Sequence, residues 1–311
     1  MPERSTAPQG DKNRAMNAFE RAAECAERGV TARPVTLVDP ADMELLSPAD
    51  MRPWLDRVMM GDHPDEGLDA LLTTGVLDVL LPEVKALVGF GDGEWRHKDV
   101  WKHTKQVVLQ AVPRIEVRWG ALFHDIGKVR TRTISPTGEV HFFGHAEVGA
   151  RMFDKLNRRK KLFTADETLL REIRFLVLHH LRASQYDGSW TDSAVRRFAR
   201  EMGPYLEDLL CLSRADITTK RPEKKRRGIA MIDELAVRIT ELAQEDAKVP
   251  PLPTGLGNAL MAAFGIPPSK KLGDIKRALE AAVEAGEIQP EQDSGYYVQY
   301  LAENKERFGI D

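Results

Sequence analysis

Side chains that commonly bind metals recur along the middle of the chain, each beside apolar residues at helical spacing. They are His103, His124, Asp125, His145, His180 and Asp216. Buried imidazoles and carboxylates are costly unless they are paired or bind a metal. Because several separate helical segments each direct at least one such group inward, the sequence favours a shared metal centre.

The adjacent pair His124-Asp125 needs partners from other segments to bind one ion. Neighbouring helical residues point about 100° apart, so they converge on an ion only near a helix end or beside other helices. His103 is such a partner, because apolar residues three and four positions away share its face. Considered alone, His103 or His145 is more often explained as an ordinary core histidine. Asp216 considered alone could be a helix N-cap. Taken together, the six residues favour a metal.

The neighbouring His179 and His180 cannot both face such a site. Ile173, Leu176 and Val177 place His180 on the buried face of the predicted helix. His179 remains the alternative ligand, one residue out of register.

Five short motifs around these residues resemble those of a known family. They read His97-Lys-Asp-Val-Trp-Lys-His103-Thr, Ala121-Leu-Phe-His124-Asp125-Ile-Gly-Lys128, Phe143-Gly-His145-Ala-Glu, His180-Leu-Arg182 and Arg214-Ala-Asp216-Ile-Thr. The set resembles the HD superfamily of metal-dependent phosphohydrolases. More narrowly, it is similar to the HD-bearing body of bacterial CCA-adding tRNA nucleotidyltransferases and poly(A) polymerases.

The resemblance implies an all-α fold, an HD-domain helical bundle with a small β-hairpin and flanking helical neck and tail domains. It also implies how the ligands are shared between ions. His103, His124, Asp125 and Asp216 would hold the first ion, and His145 and His180 would complete a second, with Asp125 as the bridge.

The catalytic candidates are Asp125, Lys128 and Arg182. Lys128 comes one turn after His124 and could neutralise charge on a phosphate, and Arg182 is a weaker candidate for the same role. Mixed imidazole and carboxylate ligands suit Mn, Fe, Co or Ni better than Mg alone. Whether one or two ions bind is left open.

The chain divides into four predicted segments. Residues 1–44 are an N-terminal extension that is partly disordered, 45–92 a helical neck, 93–245 the HD domain, and 250–311 a helical tail that could bind RNA. The β-rich runs around Pro136-Thr-Gly138 predict a hairpin. Tyr296, Tyr297 and Tyr300 in the tail either stack on bases or, more commonly, pack internally.

A catalytic head precedes the neck in the polymerases that the chain resembles. About 45 residues are too few for such a domain, and they contain no Gly-Ser segment followed by paired aspartates. We therefore expect that this chain does not carry nucleotide addition.

Composition indicates an intracellular enzyme. The 311 residues, 42% apolar and 30% charged, can bury a sizeable core. Cys25 and Cys211 are too few for a disulfide framework, and no apolar run reaches the roughly 18 residues of a membrane span. We expect a cytoplasmic protein without a membrane partner.

A basic run follows Asp216 directly, although the net charge of the chain is −3. It consists of Lys220, Arg221, Lys224, Lys225, Arg226 and Arg227. Such a run is often only solvated surface. Beside a phosphate-binding site, however, it could steer nucleotide or RNA substrates.

The leading functional hypothesis is a metal-dependent phosphodiesterase or phosphatase. Its substrates would be nucleotides or RNA ends, for example 2′,3′-cyclic phosphates, and tRNA is one candidate. Two alternatives stay open: an RNA-binding module whose metal is structural, and a hydrolase of small signalling or damaged nucleotides.

Overall fold

The computed structural model describes residues 10–31, 36–90, 99–247 and 251–310. The chain forms two compact units, residues 1–240 and 241–311. Within the described residues the fold is helical with one short hairpin, as predicted. The predicted boundaries of neck, HD domain and tail stay predictions. Disorder is predicted for residues 1–12, of which residues 1–9 fall outside the described residues, whereas Lys12 already begins a helix.

The first unit begins with six helices from the N-terminal and neck segments. They are α1 (Lys12–Arg28), α2 (Pro40–Glu44), α3 (Pro48–Met60), α4 (Pro64–Thr73), α5 (Val76–Leu80) and α6 (Pro82–Lys85). The α1 helix begins after Asp11, whose side chain accepts hydrogen bonds from two backbone amides, and ends at the left-handed Gly29. Its small buried residues, including Ala15 and Ala22, allow α3 and α4 to pack closely.

Eight further helices follow. They are α7 (Val100–Gln110), α8 (Ile115–Phe123), α9 (Lys128–Thr131), α10 (His145–Lys160), α11 (Glu167–His179), α12 (Asp192–Met202), α13 (Leu206–Ala215) and α14 (Pro222–Ala247), with single 3₁₀ turns at Ala183–Gln185 and Gly203–Tyr205.

The α8 helix is central, because it contacts α3, α7, α11 and α13. Its residues from Val117 to Phe123 are all buried, as expected for a helix with neighbours on every side. Gly120 lets α11 approach, since a Cβ there would lie 2.9 Å from a methyl carbon of Leu176. The pair His124-Asp125 therefore leaves α8 at the centre of the bundle.

The predicted hairpin is confirmed between α9 and α10. Strands β1 (Thr133–Ile134) and β2 (Val140–His141) are antiparallel, and Thr133 is paired with His141. Gly138 supplies the left-handed backbone of the turn, with φ 84°.

The second unit contains α15 (Leu256–Phe264), α16 (Lys270–Glu284), α17 (Ser294–Glu303) and a 3₁₀ turn at Lys305–Phe308. Tyr297 lies fully buried in its core, and its hydroxyl donates to the carbonyls of Pro251 and Gln289 at 3.0 and 2.9 Å. Tyr297 therefore packs internally and does not stack on a base. In the part of the chain that the structure describes, no helix has the length and apolarity needed to cross a membrane.

Candidate metal centre

The six proposed ligands come together because most of them stand at helix ends. His124 and Asp125 follow α8, His145 is the first residue of α10, His180 follows α11, and Asp216 follows α13. Of the six, only His103 lies in the interior of a helix, α7. Asp216 is thus at a helix C-terminus, so the alternative of an N-cap does not apply.

Four side chains form the first cluster: His103, His124, Asp125 and Asp216. His103 Nε2 lies 3.0 Å from Asp216 Oδ1 and 3.4 Å from Asp125 Oδ2. His124 Nε2 lies 3.1 Å from Asp125 Oδ2, 3.7 Å from Asp216 Oδ1 and 3.3 Å from His103 Nε2. The imidazole nitrogens of His103 and His124 and an oxygen of Asp125 form a compact group that could hold a metal ion, and Asp216 adds an oxygen that lies closest to His103.

Three side chains form the second cluster: Asp125, His145 and His180. His145 Nε2 lies 3.1 Å from His180 Nε2. Asp125 Oδ1 lies 3.5 Å from His145 Nε2 and 4.0 Å from His180 Nε2. Asp125 directs Oδ2 toward the first cluster and Oδ1 toward the second. One carboxylate thus joins both clusters.

Hydrogen bonds on the far side of the imidazoles fix which nitrogen faces inward. The Nδ1 atoms of His124, His145 and His180 donate to the carbonyls of Ala121, Phe142 and Val177 at 2.7, 2.7 and 2.8 Å. A carbonyl only accepts, so each Nδ1 carries a proton, and the Nε2 atom of each ring is the one that faces the cluster and would bind a metal ion.

His103 is oriented differently, because its Nδ1 lies 2.9 Å from the hydroxyl oxygen of Thr218. Gln110 donates to the carbonyl of Ala215 at 2.7 Å and so ties α7 to the end of α13, beside Asp216. Sequence reasoning missed Thr218 and Gln110, since a single hydroxyl or amide carries no pattern that marks it.

Burial and charge set the pKa values in the centre. Burial alone raises the pKa of Asp125, but His124, His103 and Lys128 outweigh it and hold that pKa well below its ordinary value. Burial alone would also raise the pKa of Asp216. The hydrogen bond with His103 outweighs that effect, so the pKa of Asp216 is lowered as well. Both carboxylates are therefore anionic across the neutral range.

The imidazoles shift in two directions. Burial, aided by the nearby His124, lowers the pKa of His180 to about 4, and burial also lowers the pKa of His145. Burial lowers the pKa of His103 too, but its bonds to the two carboxylates raise it on balance. The second cluster therefore presents two neutral rings at neutral pH.

The donor geometry of the first cluster fits a divalent cation. Ligand atoms about 2.1 Å from one ion lie about 3.0 Å apart at a right angle and about 3.4 Å apart at the tetrahedral angle. Most separations in the first cluster fall in that range. The facing lone pairs of His145 and His180 repel each other at 3.1 Å unless a cation lies between them.

The two predicted phosphate contacts differ in position. Lys128 Nζ lies 2.6 Å from Asp125 Oδ2, at the partly exposed edge of the centre. Arg182 instead donates to Glu201 at 2.5 Å and lies over the ring of Phe198. None of its contacts within the described residues reaches either cluster.

The structure brings His180, and not His179, into the centre. His180 is 2% exposed, whereas the His179 ring packs on Phe175 with ring centroids 4.3 Å apart.

The basic run follows Asp216 along the chain, and all of its members except the half-buried Lys225 are exposed. Lys225 donates to Gln110 at 2.6 Å and Arg226 pairs with Glu223. The other four members have no side-chain partner among the described residues.

Comparison with known proteins identifies the domain. Residues 100–220 match the HD domain. The chain is 31% identical over 260 residues to an A-adding tRNA nucleotidyltransferase of Deinococcus radiodurans, and 28% identical over 260 residues to a CC-adding tRNA nucleotidyltransferase of Thermus thermophilus. Each match covers 81% of this chain. A multifunctional CCA protein of Pseudomonas fluorescens is 30% identical over 49% of the chain and 39% of its own length.

The chain thus contains an HD domain and is homologous to CCA-adding tRNA nucleotidyltransferases over about 80% of its length. It spans little more than half of the first two relatives, 58% and 56%. An HD domain indicates the superfamily of metal-dependent phosphohydrolases. Together with the two clusters of histidine and aspartate, it indicates divalent metal binding.

Proposed function

We propose that this chain is a metal-dependent phosphohydrolase, a phosphodiesterase or phosphatase that acts on nucleotides or RNA ends. One observation carries the proposal. Asp125 is 1% exposed, and its two oxygens face two separate groups of imidazole nitrogens. A buried carboxylate shared in this way is suited to bridging two cations that bind one phosphate.

In this proposal His103, His124, Asp125 and Asp216 would hold one ion, and Asp125, His145 and His180 would hold another. Mn, Fe, Co or Ni suits the mixed imidazole and carboxylate ligands. Such ions supply Lewis-acid polarisation of a phosphoryl oxygen and lower the pKa of a bound water.

The protein's own groups have three roles in this mechanism. The carbonyls of Ala121, Phe142 and Val177 hold the imidazole rings in one orientation and tautomer. Asp125 and Asp216 supply the negative charge that retains cations. Lys128, hydrogen-bonded to Asp125, can turn its ammonium group toward a phosphate at the exposed edge and offset the substrate's charge.

The exposed edge also favours an enzyme over a structural metal site. The Asp216 side chain is 27% exposed and that of Lys128 is 21% exposed, so small anions can reach the first cluster from solvent. A structural site is closed by protein ligands on every side.

Two observations support RNA as a substrate class. The relatives are named for adding nucleotides to tRNA, and the basic run that follows Asp216 in the chain presents four exposed cations without a side-chain partner among the described residues. The same two observations support the second candidate function, an RNA-binding module whose metal only stabilises the fold. Turnover separates these candidates.

A hydrolysis screen tests the proposal. The purified chain, loaded with Mn²⁺, Co²⁺ or Ni²⁺, is incubated with nucleoside 2′,3′-cyclic phosphates, nucleoside monophosphates and short RNAs with 2′,3′-cyclic ends. We expect turnover of at least one class, lost in Asp125→Asn, which keeps the side-chain shape and removes the charge. RNA binding without any turnover by the metal-loaded protein would favour the binding module.

A further inference from the structure

A single aromatic side chain stands out on the surface beside the metal centre. Phe143 is 78% exposed, the most exposed large apolar side chain of the described residues. Exposed phenyl rings are unfavourable in water, so an isolated protein gains nothing from this one.

Phe143 is attached directly to the backbone that supports a ligand of the second cluster. The carbonyl of Phe142 accepts the hydrogen bond from His145 Nδ1 at 2.7 Å, and the amide nitrogen of Phe143 is bonded to that same carbonyl carbon. The Phe142 ring packs inward, 5.6 Å from Lys128 Nζ and 6.2 Å from the ring of Phe90. Phe143 lies in the turn from Phe142 to His145, which the amide of His145 closes by donating to the carbonyl of Phe142 at 3.2 Å, and its ring is left on the outside of that turn.

A second ring enlarges the exposed surface. His141, at the end of β2, stacks on Phe143 with ring centroids 5.1 Å apart and an interplanar angle of 15°. The pairing of His141 with Thr133 fixes one side of this stack to the hairpin. Phe143 remains 78% exposed despite this contact, so the two stacked rings form an aromatic platform that is open to solvent.

We propose that the platform of Phe143 and His141 binds the nucleobase of a substrate whose phosphate occupies the metal centre. This inference rests on the proposed function and deepens it, because it assigns the substrate to compounds that carry a base near the reacting phosphate. Every nucleobase has a π-face, so stacking alone selects for a base and not for one particular base. Mononucleotides and the terminal residue of an RNA share this chemistry.

A binding measurement tests the platform without relying on turnover. Isothermal titration of the Mn²⁺-loaded protein compares adenosine 5′-monophosphate with ribose 5-phosphate, which carries the same phosphate and sugar without the base. Loss of one stacking contact corresponds to about a five- to tenfold weaker affinity at an exposed site. We therefore expect Phe143→Ala to weaken binding of adenosine monophosphate by about that factor and to leave ribose 5-phosphate unchanged.

Three further variants define the effect. Phe143→Tyr keeps an aromatic face and should bind adenosine monophosphate like the unmodified chain, whereas Phe143→Leu, apolar but not aromatic, should behave like Phe143→Ala. Ile134→Ala is the matched control, because Ile134 is also exposed on the hairpin, at 61%, and should change neither affinity.

The outcomes separate this inference from the proposed function. Equal affinity for both ligands, unaffected by Phe143→Ala, would overturn the platform and leave a phosphate-binding metal centre intact. A parallel loss of both ligands in Phe143→Ala would show that the ring only supports the hairpin. If the metal-loaded chain binds neither ligand, the proposed function fails and the platform fails with it.

Discussion

Replacing Gly127 with alanine should disturb the second cluster while sparing the first. Gly127 lies between Asp125 and Lys128, where α10 crosses closely. A Cβ at this position would lie 2.0 Å from the carbonyl oxygen of His145 and 2.7 Å from the amide nitrogen of Gly149. Both are backbone atoms, so no side-chain rotation can relieve the contact.

The required movement can be estimated from the same distances. Ordinary van der Waals contact begins at 3.4 Å, so the start of α10 must retreat by about 1.4 Å. Metal–ligand distances tolerate about 0.2 Å, so His145 would no longer reach an ion shared with Asp125. Overpacking of this kind costs about 1–3 kcal/mol, and each kcal/mol lowers the Tm of a domain this large by about 2–4 °C.

Elemental analysis and calorimetry of the metal-free and metal-loaded protein measure both effects. Gly127→Ala should lower the Tm of the metal-free protein and reduce the bound metal to what the first cluster holds. Gly149→Ala is the matched control on the facing helix, because a Cβ there meets its nearest neighbours at 3.4 Å, and it should leave the metal content unchanged. An unchanged Tm and metal content in Gly127→Ala would refute the packing argument.

Three further predictions concern other parts of the chain. His180→Ala should lower metal content and turnover, whereas His179→Ala should leave metal content unchanged; elemental analysis showing the reverse would move the ligand by one residue. Burial and the neighbouring Asp208 raise the pKa of Glu172 from 4.5 to about 7, so its contribution to stability is present at low pH and is lost as the pH rises through 7. Glu172→Gln should therefore raise the Tm at about pH 8 and leave it nearly unchanged at about pH 4, below the ordinary pKa of a glutamate; equal shifts at both pH values would contradict this assignment. Replacing the four unpaired members of the basic run with glutamine should flatten the salt dependence of RNA binding by about 0.7 in log–log slope for each lost phosphate contact, and an unchanged slope would mark the run as solvated surface.

Much of the fold and of the candidate centre could be predicted because helical periodicity shows which side chains face inward. The inward positions of His103, His124, Asp125 and Asp216 are examples. The hairpin could be predicted from the β-rich runs on either side of a turn. Helical periodicity favours His180 over His179 only weakly, because both residues lie at the end of α11.

Other features depend on contacts between distant segments, which a single sequence does not display. The pKa of Glu172 is raised by Asp208, which lies on another helix. The close approach at Gly127 involves the backbone of α10. The exposure of Phe143 depends on which of two adjacent phenylalanines the hairpin turns inward.

The metal content of the purified chain tests the central claim most directly. After Mn²⁺, Co²⁺ or Ni²⁺ loading and removal of excess ion, elemental analysis should find about two equivalents per chain, because two clusters share Asp125. Asp125→Ala should lose most of this metal, since both clusters lose a ligand and its charge. Less than about a tenth of an equivalent in the unmodified protein, with no gain on loading, would contradict a metal centre at these six residues.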